Sequence, residues 1–298
     1  MKTLMLRRVG STIYAGRMTA TKILGSWESI PEVEEEEDAP DYAESKSLTA
    51  GERNHLEHLV AALDANRERD PKVQVVIGCL RTRGWLEEGC IVFSQYFDSI
   101  WWLAEQLMAD FPDERIGVYG GAQRSGIMLS GEFEHVDRES VKRMVLRGEL
   151  RLLLGTDAAS EGLNLQKLGT LINLDLPWNP TRLEQRKGRI QRIGQVRDTV
   201  HVYNMRYKGP VEDRVHQLLS DRLANIFSLF GQIPDVLEDV WIDVALGQVE
   251  LAKQTIAAVP HRHPFEIKYR KIENLPWETC ARVLGAADRK RCLSKGWS

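Results

Sequence analysis

The chain has 298 residues, of which 43% are hydrophobic and 28% are charged. This balance is typical of a globular protein with one large domain or two modest ones. The net charge of -3 does not indicate a nucleic-acid partner, so a local basic patch would have to provide such a function. No signal peptide is found, and no run approaches the ~18 apolar residues that a membrane helix needs. We therefore expect a cytoplasmic protein without membrane contact.

The first 47 residues are predicted to be irregular. They include an acidic run from Glu32 to Asp38, in which six of seven residues are carboxylates. Such a run repels itself, which favours a solvated loop over a functional acidic tail. The four cysteines form no CxxC pair, so no metal site is expected in this chain.

Order is predicted to begin near Leu48, with two amphipathic helices before a region that alternates between strand and helix. Short apolar runs predict strands at 90–94, 116–119, 150–155, 170–174 and 199–203. Helices are predicted at 98–110, from 137 to about 148, from 180 onward and at 211–230, with a glycine-rich loop at 120–131. This alternation predicts an α/β fold with a doubly wound, mostly parallel sheet. The predicted domains are 1–47, 48–230 and a mixed, partly helical extension at 231–298.

One candidate site is the segment GTDAASEGLNLQ at 155–166, which follows a predicted strand. It therefore lies at the carboxyl end of the sheet, where open α/β sheets bind ligands. Asp157 and Glu161 can accept hydrogen bonds from hydroxyl groups, Thr156 can donate to phosphate, and Gly162 permits a positive φ. The alternative is a tight turn capped by Asp157.

A second candidate is the basic segment from Arg182 to Arg197, which has six cations and one carboxylate. Arg186, Arg189 and Arg192 are three residues apart, which places them near one face of a helix. Guanidinium groups suit phosphate oxygens because two N–H groups meet two oxygens in one plane. A solvated basic face is the alternative, but it does not explain why Gly188 and Gly194 interrupt the predicted helix. Each would cost a helix ~1 kcal/mol, which indicates close backbone contact at a site.

Four segments now resemble, in order, motifs of superfamily two helicases. Ile91–Gln95 resembles the fourth motif, 155–166 the fifth, and 175–180 the segment that follows it in the Snf-type branch. Gln185–Arg189, continued by Arg192–Gln195, resembles the sixth. Over about 90–205, the chain is similar to the C-terminal RecA-like lobe of bacterial Snf-type helicase-like ATPases, of the RapA-like or phage-defence-associated kind.

The resemblance implies that ATP binds between two lobes. The resemblance implies that the first lobe holds the phosphates and magnesium. It also implies that Arg189 and Arg192 of the second lobe stabilise the negative charge that develops on the γ-phosphoryl group. The residues implied on the nucleotide side are Gln185, Arg186, Gly188, Asp157, Glu161 and Gly162. The residues expected to face the backbone of duplex DNA are Ser94, Gln95, Thr156 and Arg124.

The chain departs from the complete family pattern because it contains no GxxxxGK[ST] segment and no Asp-Glu-x-His-type segment. We therefore expect half of a motor, whose first lobe is upstream in a longer parent, on a separate polypeptide, or lost. The leading hypothesis is the second lobe of an ATP-dependent DNA translocase. One alternative is a non-catalytic nucleic-acid-binding or regulatory remnant. Another is an unrelated α/β enzyme that uses Asp157 and Glu161 as an acid/base pair.

Overall fold

A computed structural model describes residues 2–25, 48–66, 70–121, 124–157, 163, 165–177, 180–208 and 237–258. Its helices are α1 Lys2–Ser11, α2 Ile13–Gly25, α3 Ala50–Asp64, α4 Pro71–Thr82, α5 Trp85–Glu88, α6 Phe97–Asp110, α7 Arg138–Arg147, α8 Pro180–Ile190, α9 Leu237–Leu246 and α10 Val249–Ala258. Its strands are β1 Cys90–Ser94, β2 Ile116–Tyr119, β3 Gly126–Leu129, β4 Glu132–His135, β5 Leu152–Thr156, β6 Thr170–Asn173 and β7 His201–Asn204.

The strands form one seven-stranded sheet in the order β4-β3-β2-β5-β1-β6-β7. The five strands from β2 to β7 in this order are parallel, whereas β3 and β4 are antiparallel additions at one edge. The predicted α/β class with a mostly parallel sheet is therefore confirmed. The carboxyl ends of β1, β5 and β6 lie side by side, and this edge carries the polar segments described below.

The central strands are apolar throughout because helices cover both faces of the sheet. In β1, Cys90 and Val92 pack into one apolar cluster with α4 and α6. Ile91 and Phe93 point the other way, into a second cluster that includes Val141 of α7. All five residues of β1 are buried, as are all five of β5, so neither strand shows a polar face.

The prediction that residues 1–47 are irregular is wrong for 2–25, which form α1 and α2. These helices are held by packing, with Leu4, Met5 and Ile23 buried in a small cluster that also includes Leu56 of α3. Gly16 permits the close approach of α1 and α2, because an added Cβ would lie 2.4 Å from Val9 Cγ2. Short helices are marginal on their own, and contacts of this kind stabilise them.

The prediction of a glycine-rich loop at 120–131 is also wrong in part, because β3 occupies 126–129 and β4 follows it. Gly126 sits inside this hairpin because a Cβ there would lie 2.2 Å from the carbonyl oxygen of Glu134. The acidic run at 32–38 and the helix predicted at 211–230 lie outside the described residues. Within the predicted C-terminal extension, α9 and α10 are helical, and the three domain boundaries stay predictions.

Candidate functional site at the carboxyl edge of the sheet

The ends of three parallel strands bring the predicted fourth and fifth motifs together. Ser94 ends β1 and is the register partner of Thr156, which ends β5. Asn173 ends β6 on the other side of β1, beside Phe93. Open α/β sheets bind their ligands at this edge. The sequence-based placement of Ser94, Thr156 and Asp157 at one edge is therefore seen in the structure.

Arg186 of α8 is the centre of this edge and is only 1% exposed. Its Nε donates to Asp157 Oδ1, and its Nη2 donates to Asp157 Oδ2 at 2.7 Å. Its Nη1 donates to Asn173 Oδ1 at 3.0 Å and to the carbonyl oxygen of Asp175 at 3.1 Å. A longer contact of 3.4 Å joins Nη2 to Asp175 Oδ1. A guanidinium has five N–H donors, and these five contacts give each donor an acceptor.

This environment keeps Arg186 charged although it is buried. Desolvation opposes the charge, but attraction and hydrogen bonds from Asp157, followed by those from Asp175, outweigh it and raise the pKa of the guanidinium. The resemblance implied that Arg186 lies on the nucleotide side, and this stays a prediction; in the structure its five N–H donors already have protein acceptors. Its geometry is that of a clamp that joins the fifth motif, β6 and α8.

Asp175 is buried beside this clamp and is held by donors from three parts of the chain. Ser11 Oγ, at the end of α1, donates to Asp175 Oδ2 at 2.6 Å. Ser94 Oγ donates to the same oxygen, and the backbone N–H of Gln95 lies 3.1 Å from Oδ1. Ser99 Oγ extends the network, at 2.7 Å from Ser11 Oγ. The N-terminal helices are thus bonded directly to the polar edge of the sheet.

Two further arginines of the sixth motif have a different environment. Arg189 is partly exposed and Arg192 is exposed, and neither has an acidic partner among the residues that the structure describes. Arg189 Nε is buried and has no hydrogen-bond partner there. Gln185 is also exposed. The prediction that all three arginines lie on one helix face is wrong for Arg192, because α8 ends at Ile190.

The two glycines of this segment have separate explanations. Gly188 is exposed within α8, and a Cβ added there would meet nothing within 4 Å. Packing within the described part of the chain therefore does not require it. Gly194 lies beyond α8 with φ +92°, so the prediction that it interrupts a helix is wrong. A turn with a left-handed residue requires glycine there.

The predicted nucleic-acid residues divide by accessibility. Ser94 and Thr156 are buried, and Thr156 Oγ1 has no hydrogen-bond partner among the described residues. Gln95 and Arg124 are partly exposed. Glu161 and Gly162 lie outside the described residues. Of the four residues predicted to contact nucleic acid, Gln95 and Arg124 are therefore the two that a ligand can reach.

Sequence reasoning missed Asp175, Ser11 and Ser99 as parts of this site. Asp175 was recognisable, because it follows β6 at the carboxyl edge in the same way that Asp157 follows β5. Ser11 and Ser99 had no such signal, since their positions depend on how α1 packs against α6. Single serines at helix ends are common and do not by themselves indicate a site.

The described residues contain no group of three or more His, Cys, Asp or Glu side chains arranged to hold a metal ion. In the same part of the chain, no helix has the length and apolar character needed to cross a membrane.

Comparison with known proteins gives three informative matches. A family model, the helicase conserved C-terminal domain, matches residues 72–194. The uncharacterized ATP-dependent helicase YqhH of Bacillus subtilis (strain 168) is 40% identical over 119 residues, which are 40% of this chain and 21% of that protein. The RNA polymerase-associated protein RapA of Haemophilus influenzae (strain PittEE) is 28% identical over 274 residues, covering 72% of this chain and 29% of RapA.

Among solved structures, the C-terminal part of the Fun30 ATPase domain matches with a TM-score of 0.45 and 16% sequence identity. The match covers 83% of this chain and 81% of that one. The chain thus spans between a fifth and a third of the length of the two curated relatives, 21% of YqhH and 29% of RapA.

The parallel sheet, with its arginine-bearing helix at the carboxyl edge and its matched family model, defines a RecA-like helicase C-terminal lobe. Within that class, the chain is similar to the C-terminal part of Snf2-type helicases, and the family model matches it over residues 72–194.

Proposed function

We propose that this chain is the second lobe of an ATP-dependent DNA translocase, and that Arg189 and Arg192 are its arginine fingers. The observation that supports this proposal is a difference in acidic partners among the arginines of α8 and the turn that follows it. Arg186 is neutralised by two carboxylates, whereas Arg189 and Arg192 have no acidic partner among the described residues. Cations without a counter-ion beside the clamp of Arg186 suit an anionic ligand.

The residues present fit the phosphates of ATP. Arg189 Nε is a buried donor that has no acceptor among the described residues, and a phosphoryl oxygen would satisfy it. ATP supplies the phosphoryl group that is transferred to water. Arg189 and Arg192 then stabilise negative charge, an effect worth about 10³–10⁵ in rate where arginine fingers are best studied. Arg186 acts indirectly, because its clamp fixes the position of α8 and therefore of Arg189.

The proposal assigns the phosphate loop and magnesium to a first lobe, in cis or in trans. The basis is that the chain has no GxxxxGK[ST] segment. A surface suited to such a partner adjoins Arg192, where Ile193 is 100% exposed and Val196 is 58% exposed. Exposed apolar side chains next to unneutralised cations are consistent with a contact between lobes.

For DNA, the proposal assigns backbone contacts to Gln95 and Arg124, which are the accessible members of the predicted set. Ser94 and Thr156 are buried, so in this proposal they stabilise the edge of the sheet and do not contact DNA themselves. Cytoplasmic location stays a prediction.

The test is to join the chain to a first lobe that carries the phosphate loop and to replace Arg189 or Arg192 with alanine. We expect ATP turnover to fall by about 10³-fold or more while ATP affinity changes little, because the arginines act on the transition state. The matched control is Arg182→Ala, which removes a cation from the same helix at a position outside the motif. An equal loss of ATP affinity and turnover would contradict the proposal. Unchanged turnover in both variants would show that neither arginine is a finger, and absence of turnover in the unaltered fusion would favour a non-catalytic remnant.

A further inference from the structure

The turn after α8, residues 191–197, carries Arg192 and is bonded to a second part of the chain. All of its residues are exposed except Gln195, which is partly buried. Exposed turns usually have few fixed contacts and open easily. This one is instead joined by hydrogen bonds to residues 165–168, which lie between the fifth motif and β6. Two glutamine side chains, described next, make these bonds.

Gln195 ties both ends of the turn to the rest of the lobe. Its Nε2 donates to the carbonyl oxygen of Ile190 at 2.9 Å and to that of Leu168 at 3.1 Å. Its Oε1 accepts from the backbone N–H of Arg197 at 3.0 Å. Ile190 is the last residue of α8, and the carbonyl groups at a helix end have no partner within the helix. The amide of Gln195 thus caps α8 and closes the turn that follows it.

Gln166 holds the middle of the same turn. Its Nε2 donates to the carbonyl oxygen of Ile193, and its backbone carbonyl oxygen accepts from the N–H of Val196 at 3.0 Å. Gly194 permits this close approach, because an added Cβ would lie 2.7 Å from Gln166 Nε2. The end of the fifth motif therefore contacts the end of the sixth directly.

Arg192 lies between the two points that these amides hold. Ile190 precedes it by two residues, and Ile193 follows it directly. The side chain of Arg192 is exposed and has no acidic partner among the described residues. Its backbone is thus fixed while its guanidinium stays open to a ligand. A catalytic group needs such support, because a misplacement of about 1 Å can cost about 10²-fold in rate.

We propose that Gln195 and Gln166 are positioning residues for Arg192, which hold its backbone in place for its contact with the phosphates of ATP. The inference rests on the proposed function of Arg192 as an arginine finger. It adds two residues that act through Arg192 and do not touch ATP themselves. A purely structural role would alter the stability of the turn without acting through Arg192, so the experiment has to separate the two roles.

The first measurement is hydrogen exchange of the full chain. Gln195→Ala removes three hydrogen bonds from the turn, so exchange within 191–197 should accelerate about 10-fold or more while exchange in β1 and β5 stays the same. Gln191→Ala is the matched control. Gln191 is an exposed amide of the same turn, and its backbone bond to Lys187 survives the change. Unchanged exchange in Gln195→Ala would overturn the proposal.

The second measurement is ATP turnover in the fusion to a first lobe. Gln195→Ala should lower kcat about 10- to 100-fold with little change in KM, because the turn is displaced while ATP still binds. In an Arg192→Ala background, the same change should lower kcat by less than about twofold, because the residue that it positions is already absent. A loss of equal size in both backgrounds would show a role independent of Arg192 and would overturn the proposal.

Gln166→Ala repeats both measurements from the other side of the turn, so that a folding defect in one variant does not decide the result. Gln191→Ala should leave kcat unchanged. If Arg192→Ala lowers turnover and neither Gln195→Ala nor Gln166→Ala does, the positioning proposal fails and the proposed function stands. If Arg192→Ala itself leaves turnover unchanged, the proposed role of Arg192 fails, and the positioning proposal fails with it.

Discussion

Three arginines within seven residues have three different environments, and these environments indicate different roles. Arg186 is buried between two carboxylates, Arg189 is partly exposed with an unsatisfied Nε among the described residues, and Arg192 is exposed beyond the end of α8. The same side chain thus serves as a structural clamp in one place and as a free cation in another. Sequence spacing alone made the three equivalent, since it carries no information about partners.

We predict that Arg186→Ala destabilises the lobe by about 3–5 kcal/mol. This is the usual cost of leaving buried charges without their partner, and here it is Asp157 and Asp175 that would lose their counter-ion. The measurement is the free energy of unfolding in urea. Arg189→Ala is the control, one turn away on the same helix and without an acidic partner among the described residues, and it should cost less than about 1 kcal/mol. Equal costs for the two variants would show that the clamp does not stabilise the fold.

At the scale of elements, α1 and α2 form part of the lobe. Lys72 Nζ of α4 donates to the carbonyl oxygen of Leu174 at 2.8 Å and also to that of Gly10. The backbone N–H of Ile13 donates to Asp70 Oδ2 at 2.9 Å. With the bond from Ser11 to Asp175, these contacts fix the junction between α1 and α2 against the polar edge. Movement of this helix pair is therefore coupled to the clamp.

We predict that Ser11→Ala destabilises the lobe by about 1–3 kcal/mol, because a buried carboxylate loses a hydrogen bond that alanine cannot replace. Hydrogen exchange of α1 and α2 should accelerate more than exchange of the central strands. Thr82→Ala is the control, since the hydroxyl of Thr82 is exposed and bonds only within its own helix. An unchanged exchange pattern in Ser11→Ala would show that the helix pair is held by its apolar contacts alone.

The elements also show what sequence can predict. Strands such as β1 and β5 were placed correctly because a short, fully apolar run between two helices is typical of a buried parallel strand. The helices α1 and α2 were missed because their burial depends on partners distant in sequence, such as Leu56 and Asp175. The hairpin of β3 and β4 was missed for a similar reason. Gly126 resembles a loop residue in the sequence, but in the structure a Cβ there would lie 2.5 Å from the ring of Phe133.

For the whole molecule, the net charge is -3, so DNA would have to be attracted by local cations such as Arg124, which follows β2 at the carboxyl edge. The complete motor in our proposal would hold DNA between two lobes. One lobe offers only part of the contacts, so weak binding is expected from the chain alone.

We predict that the chain binds DNA weakly, without sequence preference, and with a strong dependence on salt. Each phosphate that is neutralised releases condensed counterions, with a slope of about -0.9 per contact in a plot of log affinity against log salt. Two or three contacts would therefore reduce affinity about 10- to 40-fold between roughly 50 and 200 mM salt. The measurement is a fluorescence-anisotropy titration of a labelled duplex at several salt concentrations. Arg124→Ala should reduce the slope by about one contact.

The control is Arg83→Ala, which removes an exposed arginine that precedes β1, at the amino edge of the sheet. It should leave both affinity and slope unchanged, because charges beyond about 10 Å are screened at these salt concentrations. Tight binding that ignores salt, or a clear preference for one sequence, would show that the chain reads base edges. That outcome would contradict a motor lobe, because a motor must move over every sequence and therefore depends on the phosphate backbone.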